Sequence, residues 1–114
     1  MIYNYTKRKI IAKEYKVCKS FLSKLRGQMF RRKILPMLFV FDKEQRIELH
    51  SWFVKEPLDL IFINSSWEIV ELMQEFMPRK CYKPREKAMY VLEMPVGTIA
   101  QHNIEIGDVI HIKR

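Results

Sequence analysis

The sequence has few of the residues that interrupt or cross-link a chain: its 114 residues include only 3 glycines, 5 prolines and 2 cysteines. Disordered and fibrous chains are rich in Gly or Pro, so these counts and the hydrophobic content of 48% indicate a packed globule. Cys18 and Cys81 are too few for a disulfide framework and lack the paired spacing of a zinc site. We therefore expect a single domain over residues 1–114, with no metal and no cofactor.

Long apolar runs are also missing. No run approaches the roughly 18 residues that a membrane helix needs. Lys7, Arg8 and Lys9 stand where a secretory signal peptide would have its apolar region. We therefore expect no membrane span and no signal peptide, and a chain with two unpaired cysteines suits the reducing cytoplasm.

Acidic residues are scarce, since 13 of them face 21 Lys and Arg, for a net charge of +8. The basic excess lies in two segments. Residues 1–33 hold eleven Lys and Arg and one acid, and residues 79–87 hold five and one. Such a field attracts anionic partners, although most surface charge only keeps a protein soluble.

Short runs of β-branched and aromatic residues predict a mainly β chain. The run 58–63 is apolar at every position except Asp59, which indicates a strand buried on both faces. Residues 1–17 predict an N-terminal hairpin or edge strands, and residues 42–45 predict a turn. The predicted strands beyond the hairpin lie at 37–41, 47–54, 58–63, 67–77, 88–94 and 109–112.

The run 67–77 fits either a strand or a helix, and Trp67 and Ile69 favour the strand. Three glutamates divide this run, and on a strand they would be its solvent-facing positions: Glu68, Glu71 and Glu75.

Two stretches have helical signals. Phe21, Leu22, Leu25 and Met29 recur at spacings of three and four, which predicts a helix at about 20–30. Thr98 and Gln101 have the spacing of a capping box, and this predicts a helical turn at about 98–102. Asn103 suits the left-handed position that ends such a turn. The resulting fold is a single-domain β-sandwich or distorted barrel with one short helix and one helical turn.

Asp59 and Glu93 each interrupt an apolar strand. An unpaired buried carboxylate costs several kcal/mol, so we expect Asp59 to pair with an arginine of the predicted helix, Arg26. If the two acids shared a cleft, one could stay protonated and act as a general acid in a hydrolase. A structural ion pair is the commoner arrangement.

Three ordered stretches resemble a known family: Ser23–Arg31, Trp52–Val54 with Pro57–Phe62, and Tyr90–Thr98 with Ile106–Asp108. Over about residues 17–114 the chain is similar to the family called domain of unknown function 192. The resemblance implies a compact β-sandwich-like fold, and export behind a signal or lipoprotein peptide in other members. It implies no established reaction, cofactor or substrate.

The basic segments also carry aromatic residues, a mixture that single-stranded nucleic acids use for stacking and phosphate contacts. Packing in the core is the alternative use of these rings. The candidate nucleic-acid contacts are Arg31, Arg32, Lys33, Arg79, Lys80, Lys83 and Arg85.

No motif orients a nucleophile, and His50, His102 and His111 have no metal-ligand spacing. The sequence thus favours a non-enzymatic domain that binds a small anionic ligand or a protein. RNA binding through 1–33 and 79–87 is the first alternative, and a hydrolase is the second. The candidate binding residues are Arg26, Arg31, His50, Trp52, Asp59 and Glu93.

Overall fold

The computed structural model of the protein describes residues 1–20, 27, 29 and 31–113. These residues form ten strands and one short helix. The elements are β1 (Ile2–Asn4), β2 (Lys9–Ala12), β3 (Lys16–Cys18), β4 (Met37–Gln45), β5 (Leu49–His50), β6 (Leu58–Ile63), β7 (Ile69–Phe76), β8 (Cys81–Tyr82), β9 (Ala88–Pro95), α1 (Thr98–Gln101) and β10 (Ile110–Ile112).

Two sheets and a small ribbon make up the β structure. The larger sheet has the strand order β3-β4-β9-β6-β7, in which β3 runs parallel to β4 and the other neighbours are antiparallel. The smaller sheet has the order β10-β1-β2, and β5 pairs with β8. The prediction of a mainly β, sandwich-like fold is confirmed.

The larger sheet has an apolar core on each face. All six residues of β6 are buried, and their side chains alternate between two clusters. Leu58, Leu60 and Phe62 belong to the first cluster, which the β5–β8 ribbon and its loops cover. Ile61 and Ile63 belong to the second cluster, which the smaller sheet covers. Burial of one such side chain stabilises the fold by about 1.5–3 kcal/mol, so β6 contributes to both cores.

The predicted N-terminal hairpin is present as the antiparallel pair β1–β2. The chain then leaves this sheet, because β3 pairs with β4 in the larger one. The predicted helix at 20–30 lies outside the described residues apart from Ser20, Gly27 and Met29. No helix among the described residues is long and apolar enough to cross a membrane.

Two predicted strand boundaries are wrong. Residues 42–45 do not form a turn, because β4 continues to Gln45 across a shift in register with β9. Of the alternating run 47–54 only β5 is a strand, and Trp52 and Phe53 lie in a turn. The Val54 N–H donates to the Ser51 carbonyl at 3.3 Å, and this bond closes the turn that follows β5.

The end of α1 follows the prediction and its start does not. Asn103 has φ 50°, and the N–H groups of Asn103 and Ile104 donate to the carbonyls of Ala100 and Ile99, which is a Schellman ending. The N-cap is Gly97, and no side chain caps the helix from that position. The Thr98 hydroxyl donates instead to the Pro95 carbonyl at 2.6 Å, so the predicted capping box is absent.

Candidate functional site

Asp59 is 1% exposed, and both of its carboxylate oxygens accept backbone hydrogen bonds. Oδ1 accepts the N–H of Glu75 at 3.0 Å, and Oδ2 accepts the N–H of Ile99 at 2.9 Å. Two residues of β7, Gln74 and Glu75, stand opposite Asp59, because Leu58 pairs with Phe76 and Leu60 with Met73. This is a β-bulge, and the carboxylate satisfies its displaced donor.

The second donor, Ile99, lies in the first turn of α1, where helix N–H groups lack partners inside the helix. Asp59 therefore fastens α1 to the bulge of β7 through strand β6. The predicted partner Arg26 lies outside the described residues. The carboxylate of Asp59 is therefore buried with each of its oxygens bound to a backbone amide.

Asp59 and Glu93 lie on opposite faces of the larger sheet. Asp59 pairs with Met94 across β6 and β9, and Glu93 pairs with Leu60. Directly opposed residues share a face, and successive residues alternate between faces. The two carboxylates therefore do not share a cleft, and the hydrolase hypothesis is wrong in its geometry.

Glu93 faces the first cluster, in a row between Met37 and Leu60. Its side chain keeps some solvent contact, but the surrounding apolar groups desolvate it and raise its pKa to about 8. No described side chain forms an ion pair with it. Burial also raises the pKa of the nearby Cys18 thiol; the charge of Lys16 opposes that rise and Glu93 adds to it.

Glu71 was expected to face solvent and is instead 8% exposed. Its Oε1 accepts the N–H groups of Arg85 and Glu86, both at 2.9 Å, and its Oε2 accepts the hydroxyl of Tyr82. Desolvation and the hydrogen bond to Glu71 raise the pKa of Tyr82 to about 12. This carboxylate therefore fixes the backbone of the basic segment 79–87 against the sheet.

Ser51 joins two surface loops. It is 1% exposed; its N–H donates to the Lys80 carbonyl at 2.9 Å, and its hydroxyl donates to the Met77 carbonyl at 2.6 Å. The N–H groups of Lys80 and Arg79 donate back to the Ser51 hydroxyl at 2.9 Å and to the Ser51 carbonyl at 3.1 Å. These bonds hold residues 51–55 against residues 77–80.

The two joined loops form a pocket of about 600 Å³, lined by Trp52, Phe53, Val54, Lys55, Pro78 and Arg79. Trp52 is 47% exposed and Phe53 is 61% exposed. Phe53 and Arg79 have φ of 63° and 61°, a left-handed conformation that is unfavourable for bulky side chains. Strained residues of this kind concentrate at binding sites, where the surrounding structure holds them in place.

Trp52 was expected as a ligand-binding residue and Arg79 as a nucleic-acid contact, and no sequence pattern predicted the pocket that they line together. The positive φ angles and the Ser51 bonds have no sequence signature, although Pro78 and the basic run after it mark a loop. His50 pairs with Cys81 in the β5–β8 ribbon, and its side chain is exposed. Arg31 donates through Nε to the Gly27 carbonyl at 3.2 Å.

The basic segments lie on both sides of the larger sheet. The hairpin β1–β2 packs against the second cluster through Ile2 and Ile11. Tyr82 packs against the first cluster, and so does Ile34, which directly follows the cations at 31–33. Residues 31–33 and 79–87 therefore share a side, whereas the cations of the hairpin lie on the other.

Two lysines of the basic segments, the predicted contact Lys83 and also Lys7, already have anionic neighbours. Lys83 Nζ lies 3.5 Å from Glu48, with both side chains largely exposed. Lys7 contacts Glu105 and lies 3.3 Å from the buried carboxylate of Asp108, which also accepts the Asn4 amide at 2.9 Å. Within the described part of the chain, no three His, Cys, Asp or Glu side chains come together as a metal site.

Comparison with known proteins decides the family. The sequence profile of domain of unknown function 192, described as "Uncharacterized ACR", matches residues 3–112. The chain belongs to this family. Two relatives in it are UPF0127 protein PF1050 of Pyrococcus furiosus, 36% identical over 92% of this chain and 91% of its own length, and UPF0127 protein PH1112 of Pyrococcus horikoshii, 30% identical over 96% of each.

Solved structures share the fold of this domain of unknown function 192 protein. A protein of Sinorhizobium meliloti 1021, described as "a putative transcription regulator", superposes with a TM-score of 0.80 at 25% identity, over 85% of this chain and 79% of that one. A protein of unknown function from Novosphingobium aromaticivorans superposes with the same score at 19% identity, over 86% and 74%. The second likeness concerns the fold alone.

Proposed function

We propose that the protein is a non-enzymatic binding domain whose ligand site is the pocket between residues 51–55 and 77–80. The observation that carries the proposal is the buried Ser51, whose hydrogen bonds hold both loops and keep Trp52 and Phe53 at the surface. Large exposed aromatic side chains on a fixed backbone bind at a low entropic cost.

The lining predicts the chemistry of the ligand. Trp52 and Phe53 offer apolar ring surface, and Lys55 and Arg79 supply positive charge. No acidic residue is among the described residues that line the pocket. A small molecule with an anionic group beside a flat apolar group matches this combination, which is the usual composition of small-molecule sites.

A titration with 8-anilinonaphthalene-1-sulfonate, an anion with a flat apolar body, tests the pocket. We expect saturable binding that weakens about tenfold in Trp52→Ala and Arg79→Asn, since each removes one main contact. Asn tolerates the left-handed backbone at position 79, so the loop is retained. Lys43→Gln removes an exposed cation outside the pocket and serves as the control.

Equal affinity of all four proteins for the probe would contradict the proposal. An unchanged melting temperature in the variants is required for the comparison, because a loosened core also binds this dye.

Nucleic-acid binding is a second candidate function. It is favoured by the description of the Sinorhizobium meliloti neighbour and by the shared side of residues 31–33 and 79–87. The cations of the hairpin face elsewhere, so we restrict the candidate contacts to Arg31, Arg32, Lys33, Arg79, Lys80, Lys83 and Arg85.

The salt dependence of binding to a single-stranded RNA oligonucleotide tests this candidate. With about five phosphates engaged, log K against log salt should fall with a slope of roughly −3.5. Neutralising Arg31, Arg32 and Lys33 should flatten that slope, and neutralising Arg8 and Lys9 of the hairpin should leave it unchanged. A flat salt dependence in the parent protein rules the candidate out.

A further inference from the structure

A second concavity lies on the other face of the larger sheet. It is a groove of about 750 Å³ between the edge of the larger sheet and strand β10 of the smaller one. Leu38 and Tyr90 contribute to it from β4 and β9, and both pack in the second cluster. The pocket between residues 51–55 and 77–80 lies on the side of the first cluster, to which its lining residue Val54 belongs. The two sites are therefore separate. The described lining residues of the groove are Tyr15, Val17, Lys19, Ser20, Leu38, Val40, Trp67, Tyr90 and Ile112.

The walls of the groove are mostly apolar. The rings of Trp67 and Tyr90 stack with centroids 3.9 Å apart and an interplanar angle of 17°, which makes one wall flat and rigid. Val17, on edge strand β3, is 41% exposed. A ligand that removes such an apolar surface from water lowers the free energy of the complex.

The charge of the groove has one sign. Lys19 is exposed and forms no ion pair with any residue that the structure describes. The described lining contains no carboxylate. The volume falls within the roughly 300–1,000 Å³ of small-molecule sites, which combine an apolar lining with a few polar groups.

We infer that this groove binds a small amphipathic anion. The apolar tail lies along Val17, Val40 and the stacked Trp67–Tyr90 pair, and the carboxylate head contacts the ammonium of Lys19. The inference does not depend on the pocket between residues 51–55 and 77–80, because the two sites share no lining residue.

The test is isothermal titration of the full chain with sodium dodecanoate below its micellar concentration. We expect one saturable site in the parent protein. Lys19→Gln should weaken binding about tenfold, the size expected for one lost charge-assisted contact. Lys13→Gln, which removes another exposed cation from the same half of the chain, should leave the affinity unchanged.

A second pair of variants tests the apolar wall without touching the core. Val17→Glu places a carboxylate in the groove and should abolish measurable binding of dodecanoate. Ile10→Glu is the matched control, since Ile10 is 42% exposed on β2 and is not among the lining residues. Both substitutions are at exposed positions, so both variants should fold.

Three outcomes would overturn the inference. One is the absence of saturable dodecanoate binding to the parent protein. Another is equal affinity in Val17→Glu and Ile10→Glu, which would place the ligand elsewhere. The third is equally tight binding of dodecyltrimethylammonium, which has the same tail and the opposite charge, because the head would then make no contact with Lys19.

Discussion

Asp59 and Glu93 look alike in the sequence and differ in the structure. Each is an acid within an apolar strand, on neighbouring strands of one sheet. Asp59 accepts two backbone N–H groups, whereas Glu93 has no ionic partner among the described residues and a pKa of about 8. The difference shows that an acid in a buried strand is either a structural acceptor or a desolvated acid, depending on which donors the other elements bring to it.

The largest effect should come from removing the acceptor at position 59. Asp59→Ala leaves the N–H groups of Glu75 and Ile99 without their partner, and each buried unsatisfied group costs about 1–3 kcal/mol. We expect the free energy of unfolding in urea to fall by about 3–5 kcal/mol. A loss below about 1 kcal/mol would mean that the carboxylate does not hold the bulge and the helix together.

Glu93 should show its effect in the pH dependence of stability. The folded pKa of about 8 lies above the ordinary glutamate pKa of 4.5, so between these pH values the unfolded chain loses a proton that the folded protein keeps. The contribution of protonated Glu93 to the free energy of unfolding is therefore complete below about pH 4.5 and is lost as the pH rises through about 8.

Glu93→Gln removes this titration and should make the protein about 1–2 kcal/mol more stable than the parent at pH 9, with little difference at pH 5. The measurement is urea unfolding across that range. Glu56→Gln, at an exposed acid, is the control. A Glu93→Gln protein whose pH profile parallels that of the parent would show that Glu93 is not desolvated.

The smallest effect concerns the bulge that serves Asp59. Glu75 has φ 54°, which costs a non-glycine residue about 1 kcal/mol. Glu75→Gly should relieve this strain and change the melting temperature upward by a few degrees at most, because glycine also loses more entropy on folding. Glu75→Ala keeps the strain and should give no increase; equal behaviour of the two variants would contradict the strained bulge.

The sequence predicted the strands whose apolar runs fill the core, and it did so because burial on both faces leaves a continuous signal, as in 58–63. The sequence-based prediction failed where backbone hydrogen bonds determine where a strand ends or whether a polar side chain is buried. A turn closed on the Ser51 carbonyl follows β5, and Ser51 is held by bonds to residues 77–80, which are distant in the sequence. The sequence predicts that Glu71 is a solvent-facing position of an alternating strand. In the structure the N–H groups of Arg85 and Glu86 donate to its carboxylate, which is buried.

The candidate site could be predicted only in part, again because backbone contacts between distant residues form it. Trp52 was predicted as a ligand-binding residue, and Arg79 was predicted only as a nucleic-acid contact of the basic segment 79–87. Their meeting in one pocket depends on the left-handed residues Phe53 and Arg79 and on Ser51, which no local pattern encodes. The role of Asp59 depended on a bulge and a helix start that come together only in the fold.

The most direct test of this division of roles is the affinity of 8-anilinonaphthalene-1-sulfonate for Asp59→Asn, measured under conditions in which the variant is folded. If Asp59 stabilises the fold and the pocket between residues 51–55 and 77–80 binds the ligand, the affinity should stay within about twofold of the parent value while the melting temperature falls. A tenfold loss of affinity with an unchanged melting temperature would contradict the account.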